Sequence, residues 1–103
     1  MYLITFTPAV KKDFKKLDKQ VLLALKTIHF SALSHDPYSG ELLKGKYRKY
    51  RKYKFNFNGV AYRVAYEIGV DWLDIICVGP RENFYKELKK RAKPRRRILA
   101  FLL

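Results

Sequence analysis

The chain has 103 residues, 49% of them hydrophobic, which is enough for one domain with a modest core. Its 16% aromatic content argues against an intrinsically disordered chain. The formal net charge is +14, from 23 lysines and arginines against 9 acidic residues. This excess predicts a polyanionic partner, either nucleic acid, an acidic protein or an anionic membrane surface.

Cysteine and histidine are too sparse for a disulfide framework or a metal centre. Cys77 is the only cysteine, so no disulfide can form within the chain. His29, His35 and Cys77 lack the spacing of zinc ligands, so we interpret His29 as a helix-face residue and His35 as a helix-end residue, and expect no metal and no cofactor. No signal peptide is recognisable, and no apolar run approaches the roughly 20 residues of a membrane span, so we expect a cytoplasmic protein without a membrane partner.

The first third of the sequence predicts a strand followed by two helices. Residues 2–7 alternate and are rich in strand-forming side chains. Thr7 and Pro8 suit the cap and first position of a helix, whose apolar stripe would be Val10, Phe14 and Leu17. Asp18 is expected to cap a second helix, with a stripe of Val21, Leu25, Ile28 and Ala32. This helical hairpin would cover one face of a sheet and end near residue 34, at "SHDPYSG".

The remaining two thirds predict three strands and a last helix, and so an α+β fold with its helices packed on one sheet face. Residues 51–57 alternate, and Asn58-Gly59 is a strong hairpin signal. A second alternating strand, "VAYRVAYEI", follows the turn, and "WLDIICV" is apolar enough for a strand inside the sheet. Gly79-Pro80 ends that strand, and "RENFYKELKKR" predicts a short basic helix.

The two-residue turn fixes the register of the hairpin. Phe57 should face Val60, Phe55 should face Tyr62 and Tyr53 should face Val64, all on the core face. Asn56 should then face Ala61 on the other side, and Lys54 should face Arg63. Like charges directly opposite each other destabilise a sheet. The pair therefore indicates either a phosphate site or a solvated basic face whose long side chains splay apart.

The order and spacing of these segments resemble the RelE/ParE superfamily of bacterial and archaeal toxins. The resemblance rests on a strand and a helical hairpin, then "DP-x-x-G-x-LL-K-G", a basic strand, "YRVAY", an apolar strand and "G-x-R-x-x-x-Y". It covers about residues 2–90 of what we expect to be a single RelE-like domain of residues 1–103. It implies a toxin of a type II toxin–antitoxin system, held in check by an acidic or amphipathic antitoxin.

The RelE branch is similar to ribosome-dependent endonucleases that cut mRNA in the A site, whereas the ParE branch inhibits DNA gyrase and usually lacks the basic catalytic set. The resemblance implies that Lys54, Arg63, Arg81 and Tyr85 match the RelE-type active-site positions. RelE-type strands often carry a second lysine where this sequence has Asn56. Asn56 can hydrogen-bond a phosphate without adding charge, and Lys52 on the same predicted face is a candidate source of that charge.

Cleavage of RNA without a metal requires removal of the 2′-OH proton, stabilisation of the phosphorane and protonation of the leaving 5′-oxygen. We assign Arg63 and Arg81 to the phosphate and the transition state. Tyr85 and Lys54 would share the acid and base steps, with their individual roles open. Tyr85 follows Arg81 by four residues, so both should lie on one helical face. The alternative interpretation of Tyr85 is a core residue that packs the last helix.

The other basic residues of this region are expected to hold the backbone of ribosomal RNA. The candidates are Lys46, Arg48, Arg51 and Lys52, with Asn56 beside them. Tyr53 is expected to pack in the core or at the sheet edge rather than stack on a base. The tail of residues 92–103 combines a proline, three arginines and an apolar end, and its role stays open.

Three functions therefore compete: an endoribonuclease toxin, a ParE-like inhibitor of gyrase, and a catalytically silent RNA-binding module. The presence of Lys54, Arg63, Arg81 and Tyr85 together favours the nuclease, acting on mRNA at the ribosome.

Overall fold

The computed structural model describes residues 1–92, in which five strands form one sheet. Its elements are β1 (Leu3–Phe6), α1 (Pro8–Lys16), α2 (Lys19–Ala24), a π-helical turn (Leu25–His29), α3 (Phe30–His35), a 3₁₀ turn (Pro37–Ser39), β2 (Glu41–Leu42), a second 3₁₀ turn (Gly45–Tyr47), β3 (Tyr50–Phe57), β4 (Val60–Ile68), β5 (Trp72–Pro80) and α4 (Arg81–Arg91). The predicted α+β class is confirmed. Residues 93–103, which hold most of the predicted tail, lie outside the described residues.

The strand order in the sheet is β1-β5-β4-β3-β2. β1 pairs with β5 in parallel, and the other neighbours are antiparallel. The apolar β5 therefore lies between two strands, as its composition predicts. β1 is one residue shorter than predicted at each end. At its start, Tyr2 N donates to the Ser34 carbonyl and not to a neighbouring strand. At its end, Thr7 caps α1, and its Oγ1 accepts from Val10 N at 3.3 Å.

The hairpin of β3 and β4 has the predicted register. Asn58 and Gly59 have φ angles of 48° and 80°, the left-handed values that such a turn requires. Lys54 pairs with Arg63 and Phe55 pairs with Tyr62 across the strands. One face of the hairpin is thus apolar and the other is basic.

Helices α1, α2 and α3 cover the apolar face of the sheet, as predicted. Val10 and Phe14 of α1 pack there, with Leu17 just after the helix. His29 also faces this layer, where its ring stacks on Phe55 at 4.2 Å and its Nδ1 lies 2.7 Å from the Tyr53 hydroxyl. Tyr53 is therefore a packing residue, as predicted.

The second helix departs from its predicted apolar stripe. Ile28 is 59% exposed and Ala32 is also exposed, while Phe30 and Leu33 are buried instead. The π-helical turn inserts one extra residue per turn at Leu25–His29, which rotates the rest of the helix relative to a 3.6-residue period. The prediction for Ile28 and Ala32 was therefore wrong.

The predicted cap at Asp18 also differs from the structure. Asp18 occupies the N-cap position, but its side chain makes no capping hydrogen bond. Only its backbone carbonyl takes part, accepting from Leu22 N at 2.9 Å.

Helix α4 lies against the opposite face of the sheet, so the expectation of helices on a single face holds only for α1–α3. Phe84 and Leu88 of α4 pack with Ala65, Ile76 and Cys77. A bulge leaves Ile76 without a partner on β4, because Ala65 pairs with Cys77 and Tyr66 pairs with Ile75. The bulge turns two consecutive apolar residues toward α4, which gives this helix a core of its own.

No helix within residues 1–92 is long and apolar enough to span a bilayer.

Candidate active site

The basic face of the sheet carries a row of paired positions that crosses three strands. Lys54 on β3 pairs with Arg63 on β4, and Arg63 pairs with Gly79 on β5. Lys54 is exposed and Arg63 is half-buried. A Cβ atom built at Gly79 would meet no atom within 4 Å, so open space lies beside the Arg63 position. The row therefore consists of two cations next to a gap.

The Arg63 guanidinium is not neutralised by the fold. Its Nε atom is buried and has no hydrogen-bond partner among residues 1–92. Within the same residues, neither Lys54 nor Arg63 nor Arg81 forms an ion pair with a carboxylate. Buried polar groups in native proteins nearly always have partners, so an unpaired guanidinium beside open space suits an anion.

Arg81 begins α4 immediately after the strand that holds Gly79, and its side chain is exposed. Tyr85 lies one helical turn later and is 46% exposed. The interpretation of Tyr85 as a core residue is wrong, because Phe84 takes the buried position beside it. The rings of Phe84 and Tyr85 meet edge to face, with their centroids 5.1 Å apart.

Lys52 contacts Tyr85 directly. Its Nζ donates to the Tyr85 hydroxyl oxygen at 2.8 Å and lies 3.7 Å from a carboxylate oxygen of Glu41. Lys52 is only 7% exposed, so it is far less accessible than a typical RNA-backbone contact. Strand alternation places Lys52 on the face of Lys54, as predicted. Sequence reasoning missed its contact with α4 and its pairing with Glu41, which lies on a strand of only two residues.

The other predicted RNA-binding residues fall into two groups. Lys46, Arg48 and Asn56 are exposed and accessible to a nucleic acid. Arg51 instead donates to the Gly40 carbonyl at 2.8 Å, and its guanidinium lies 5.0 Å from the centre of the Tyr38 ring. Alternation turns Arg51 away from the Lys52 face, so it serves the packing of a loop rather than the basic face.

The histidines are remote from this face. His29 packs on the apolar side of the sheet, and His35 bonds the Ser31 carbonyl at the end of α3, as expected of a helix-face and a helix-end residue. Cations and a phenol are thus the groups available for chemistry on the basic face.

The family of the chain follows from a comparison with family models. The model described as "ParE-like toxin of type II bacterial toxin-antitoxin system" matches residues 4–89. The chain belongs to this family, and it is thus a toxin of the RelE/ParE superfamily. No curated protein matches the sequence.

Solved structures with a similar fold include RelE toxins and their complexes. The RelBE2 toxin–antitoxin complex of Mycobacterium tuberculosis contains a chain that is 26% identical, with a TM-score of 0.66, over 78% of this chain and 98% of that one. A mutant of the Escherichia coli toxin RelE in the free state is 23% identical, with a TM-score of 0.69, over 88% and 93%. The same toxin bound to a peptide of its antitoxin RelB aligns with a TM-score of 0.65, at 23% identity over 91% and 96%.

Proposed function

We propose that the protein is an endoribonuclease that cleaves mRNA in the ribosomal A site and thereby inhibits translation. The observation that carries the proposal is the unneutralised row of Lys54 and Arg63, with Arg81 and Tyr85 at the adjoining start of α4. The ParE-type activity needs no such set, whereas RNA cleavage does.

The proposed reaction is transfer of the phosphate from the 5′-oxygen to the 2′-oxygen. The 2′-oxygen attacks phosphorus and loses its proton to a base, while the P–O5′ bond breaks and the 5′-oxygen gains a proton. Arg63 and Arg81 stabilise the charge on the phosphorane, and Lys54 and Tyr85 transfer the protons. Divalent metals bind to carboxylates and to neutral oxygen or nitrogen donors. A row of cationic side chains offers no such ligands, so we assign no metal to the reaction.

The proposed activity depends on the ribosome. The basic face has no histidine to serve as a general base. Alignment of the mRNA in the A site would supply the orientation that the bare protein lacks, and orientation alone is worth several orders of magnitude in rate. The exposed Lys46, Arg48 and Asn56 are the proposed contacts with the RNA backbone.

Primer extension on mRNA with purified ribosomes tests this function. We expect cuts within the A-site codon when ribosomes are present, and little cutting of naked mRNA at physiological salt. Efficient and selective cutting of naked mRNA would contradict the dependence on the ribosome. No cutting in either reaction would contradict the nuclease and leave an RNA-binding module or a gyrase inhibitor.

Inhibition of DNA gyrase is the second candidate, because the matching family is described as ParE-like. A supercoiling assay with purified gyrase separates the two. The proposal predicts no inhibition at concentrations that support mRNA cleavage.

A cognate antitoxin is the proposed protein partner, supported by the relatives solved as toxin–antitoxin complexes. Because this chain carries a net charge of +14, its partner should be acidic or amphipathic. The partner should lie against the basic face or displace α4. Expression of the protein alone should arrest growth, and co-expression of the partner should relieve it. Normal growth of cells that accumulate the folded protein alone would contradict this.

A further inference from the structure

Helix α4 covers only part of the sheet face on which it lies. It begins at Arg81, directly after β5, and its last residue, Arg91, donates to the carbonyl of Ile76, in the middle of that strand, at 3.0 Å. Strand alternation places Asp74 and Trp72 on the same face as Ile76, closer to the start of β5. The helix therefore ends before these two positions, and the described chain ends one residue after the helix.

The first row of side chains beyond the helix is acidic. Asp74 of β5 pairs with Glu67 of β4 and with Thr5 of β1, and the Thr5 hydroxyl donates to the Asp74 carboxylate at 2.9 Å. Asp74 forms no ion pair with a lysine or arginine of residues 1–92. Two carboxylates directly opposite each other repel, so this acidic row of Glu67 and Asp74 favours a cation.

The next row on this face is apolar and exposed. Leu3 of β1 pairs with Trp72 of β5, and the two residues are 68% and 36% exposed. The Trp72 ring lies over Gly69, where an added Cβ atom would overlap it. This apolar row of Leu3 and Trp72 lies about 7 Å from the acidic row, because it is two residues away along each strand. Exposed apolar side chains beside paired carboxylates suit a ligand that is both cationic and apolar.

The sequence that follows α4 has these two properties in the matching order. Residues 93–97 are "KPRRR" and residues 98–103 are "ILAFLL". Pro94 cannot continue the helix, and the end of α4 points along β5 toward the acidic row. The basic residues would therefore meet the acidic row first, and the apolar residues would meet the apolar row next. About four extended residues cover the roughly 13 Å from the level of Ile76 to that of Trp72, so this segment is long enough.

We propose that residues 93–103 fold back onto this part of the sheet of their own chain. The arginines lie at the acidic row, and the apolar end covers the apolar row. Exposed ion pairs contribute little, so burial of the apolar row supplies most of the stabilisation and the arginines determine where the segment lies. The docked segment holds the C-terminal end of α4, the helix that carries Arg81 and Tyr85. The inference goes beyond the proposed function and does not depend on it.

The competing occupants of this face are a second copy of the chain and another protein. Covalent attachment favours the chain's own segment, because a segment joined by a short link meets its site at an effective concentration in roughly the millimolar range. Docking within one chain also does not depend on the protein concentration.

Disulfide formation between two introduced cysteines tests the docking in the whole chain of residues 1–103. Cys77, the only native cysteine, is replaced by alanine. Ala100→Cys places one thiol in the apolar end, and Leu3→Cys places the other in the apolar row. The matched control combines Ala100→Cys with Leu23→Cys, because Leu23 is 63% exposed but lies in α2, on the opposite side of the sheet.

The measurement is the rate of disulfide formation within one molecule, in dilute solution with oxidised glutathione, for proteins first shown to unfold cooperatively. We expect the Leu3 pair to form at least about tenfold faster than the Leu23 pair, because docking raises the local concentration of the two thiols. Replacement of the three arginines by glutamine should slow the Leu3 pair toward the rate of the control. If Leu3→Cys does not fold, Val70→Cys replaces it, at a position that is 92% exposed and adjoins Gly69.

Equal rates for the two pairs would overturn the inference and leave this face for a different protein. Disulfides that form only between molecules would also overturn it, and would assign the face to a second copy of the chain. An unchanged rate in the glutamine variant would contradict the place given to the arginines at the acidic row. None of these measurements uses RNA cleavage, so the failure of the proposed function would leave the inference standing.

Discussion

Arg91 and Asp13 form two parallel hydrogen bonds between α4 and α1, one of them 2.8 Å long from Nη2 to Oδ1. The same carboxylate accepts from Val78 N at 3.0 Å, and Arg91 donates to the Ile76 carbonyl at 3.0 Å. These backbone groups belong to the part of β5 that extends beyond its pairing with β1. The hydrogen bonds that Arg91 donates to Asp13 raise the pKa of Arg91 above its usual value. The pair thus closes an open strand edge and anchors the helix that carries Arg81 and Tyr85.

Asp13→Asn should destabilise the protein strongly. Both side chains are mostly buried, at 7% and 14% exposure, so the change leaves the guanidinium without its buried counter-charge and with only the more exposed Glu87 as an ionic partner. We expect a loss of about 3 kcal/mol in the free energy of unfolding, measured by urea denaturation. Glu87→Gln is the matched control, since Glu87 also pairs with Arg91 but is 32% exposed, and it should cost less than about 1 kcal/mol. Equal losses in the two variants would contradict the role given to Asp13.

Stability should depend on pH through His29. Burial lowers the pKa of His29 below its ordinary value of 6.5. The unfolded chain therefore binds this proton more readily than the folded protein, so the free energy of unfolding should fall as the pH drops through 6.5. Urea denaturation between pH 7 and 5.5 should show a flatter dependence for His29→Gln than for the parent. His35→Gln, at an exposed helix end, should keep the slope of the parent, and an equal slope in both variants would exclude His29 as the cause.

Gly79 should matter for the reaction and not for folding. A methyl group at this position meets nothing within 4 Å, so Gly79→Ala should fold and should be stabilised by up to about 0.5 kcal/mol through the lower entropy of the unfolded chain. The same methyl group intrudes on the space beside Arg63 and should displace the bound phosphate slightly. Because a small displacement of the substrate slows a reaction strongly, we expect at least about a tenfold loss in the rate of cleavage. Unchanged cleavage would mean that the phosphate does not use this gap.

The free protein should bind sulfate through Lys54 and Arg63. Their repulsion costs on the order of 0.2–1 kcal/mol, so Arg63→Ala should melt no earlier than the parent. Sulfate binds the folded state and should raise the melting temperature of the parent more than that of the variant, at an ionic strength matched with sodium chloride. A variant that is clearly less stable and responds to sulfate like the parent would identify Arg63 as a structural residue.

The sequence predicts this fold best where local signals decide the structure. The Asn58-Gly59 turn and strict alternation give the full register of β3 and β4, including the pairing of Lys54 with Arg63. Thr7 and Pro8 likewise predict the start of α1. Each of these features depends on residues close together in the chain.

The predictions fail where contacts between distant residues decide the structure. The π-helical turn accompanies the packing of Phe30 and Leu33 on the sheet, and the periodicity of the sequence does not predict it. The bulge at Ile76 places both Ile76 and Cys77 against α4, and strict alternation along β5 does not predict it. The contact of Lys52 with Tyr85 spans 33 residues and depends on that placement, so a lysine that looks like an RNA ligand becomes a neighbour of the phenol.

The most direct test of the basic face as an RNA-cleaving site is the single-turnover rate of A-site cleavage for the parent and Arg63→Ala on the same programmed ribosomes. One contact with the developing charge is worth about 10²–10³ in rate, so we expect a loss of that size in Arg63→Ala. We expect no loss in Lys26→Met, at an exposed lysine on the helical side. Cleavage by folded Arg63→Ala at the parent rate and at the same codons would contradict the assignment of this face.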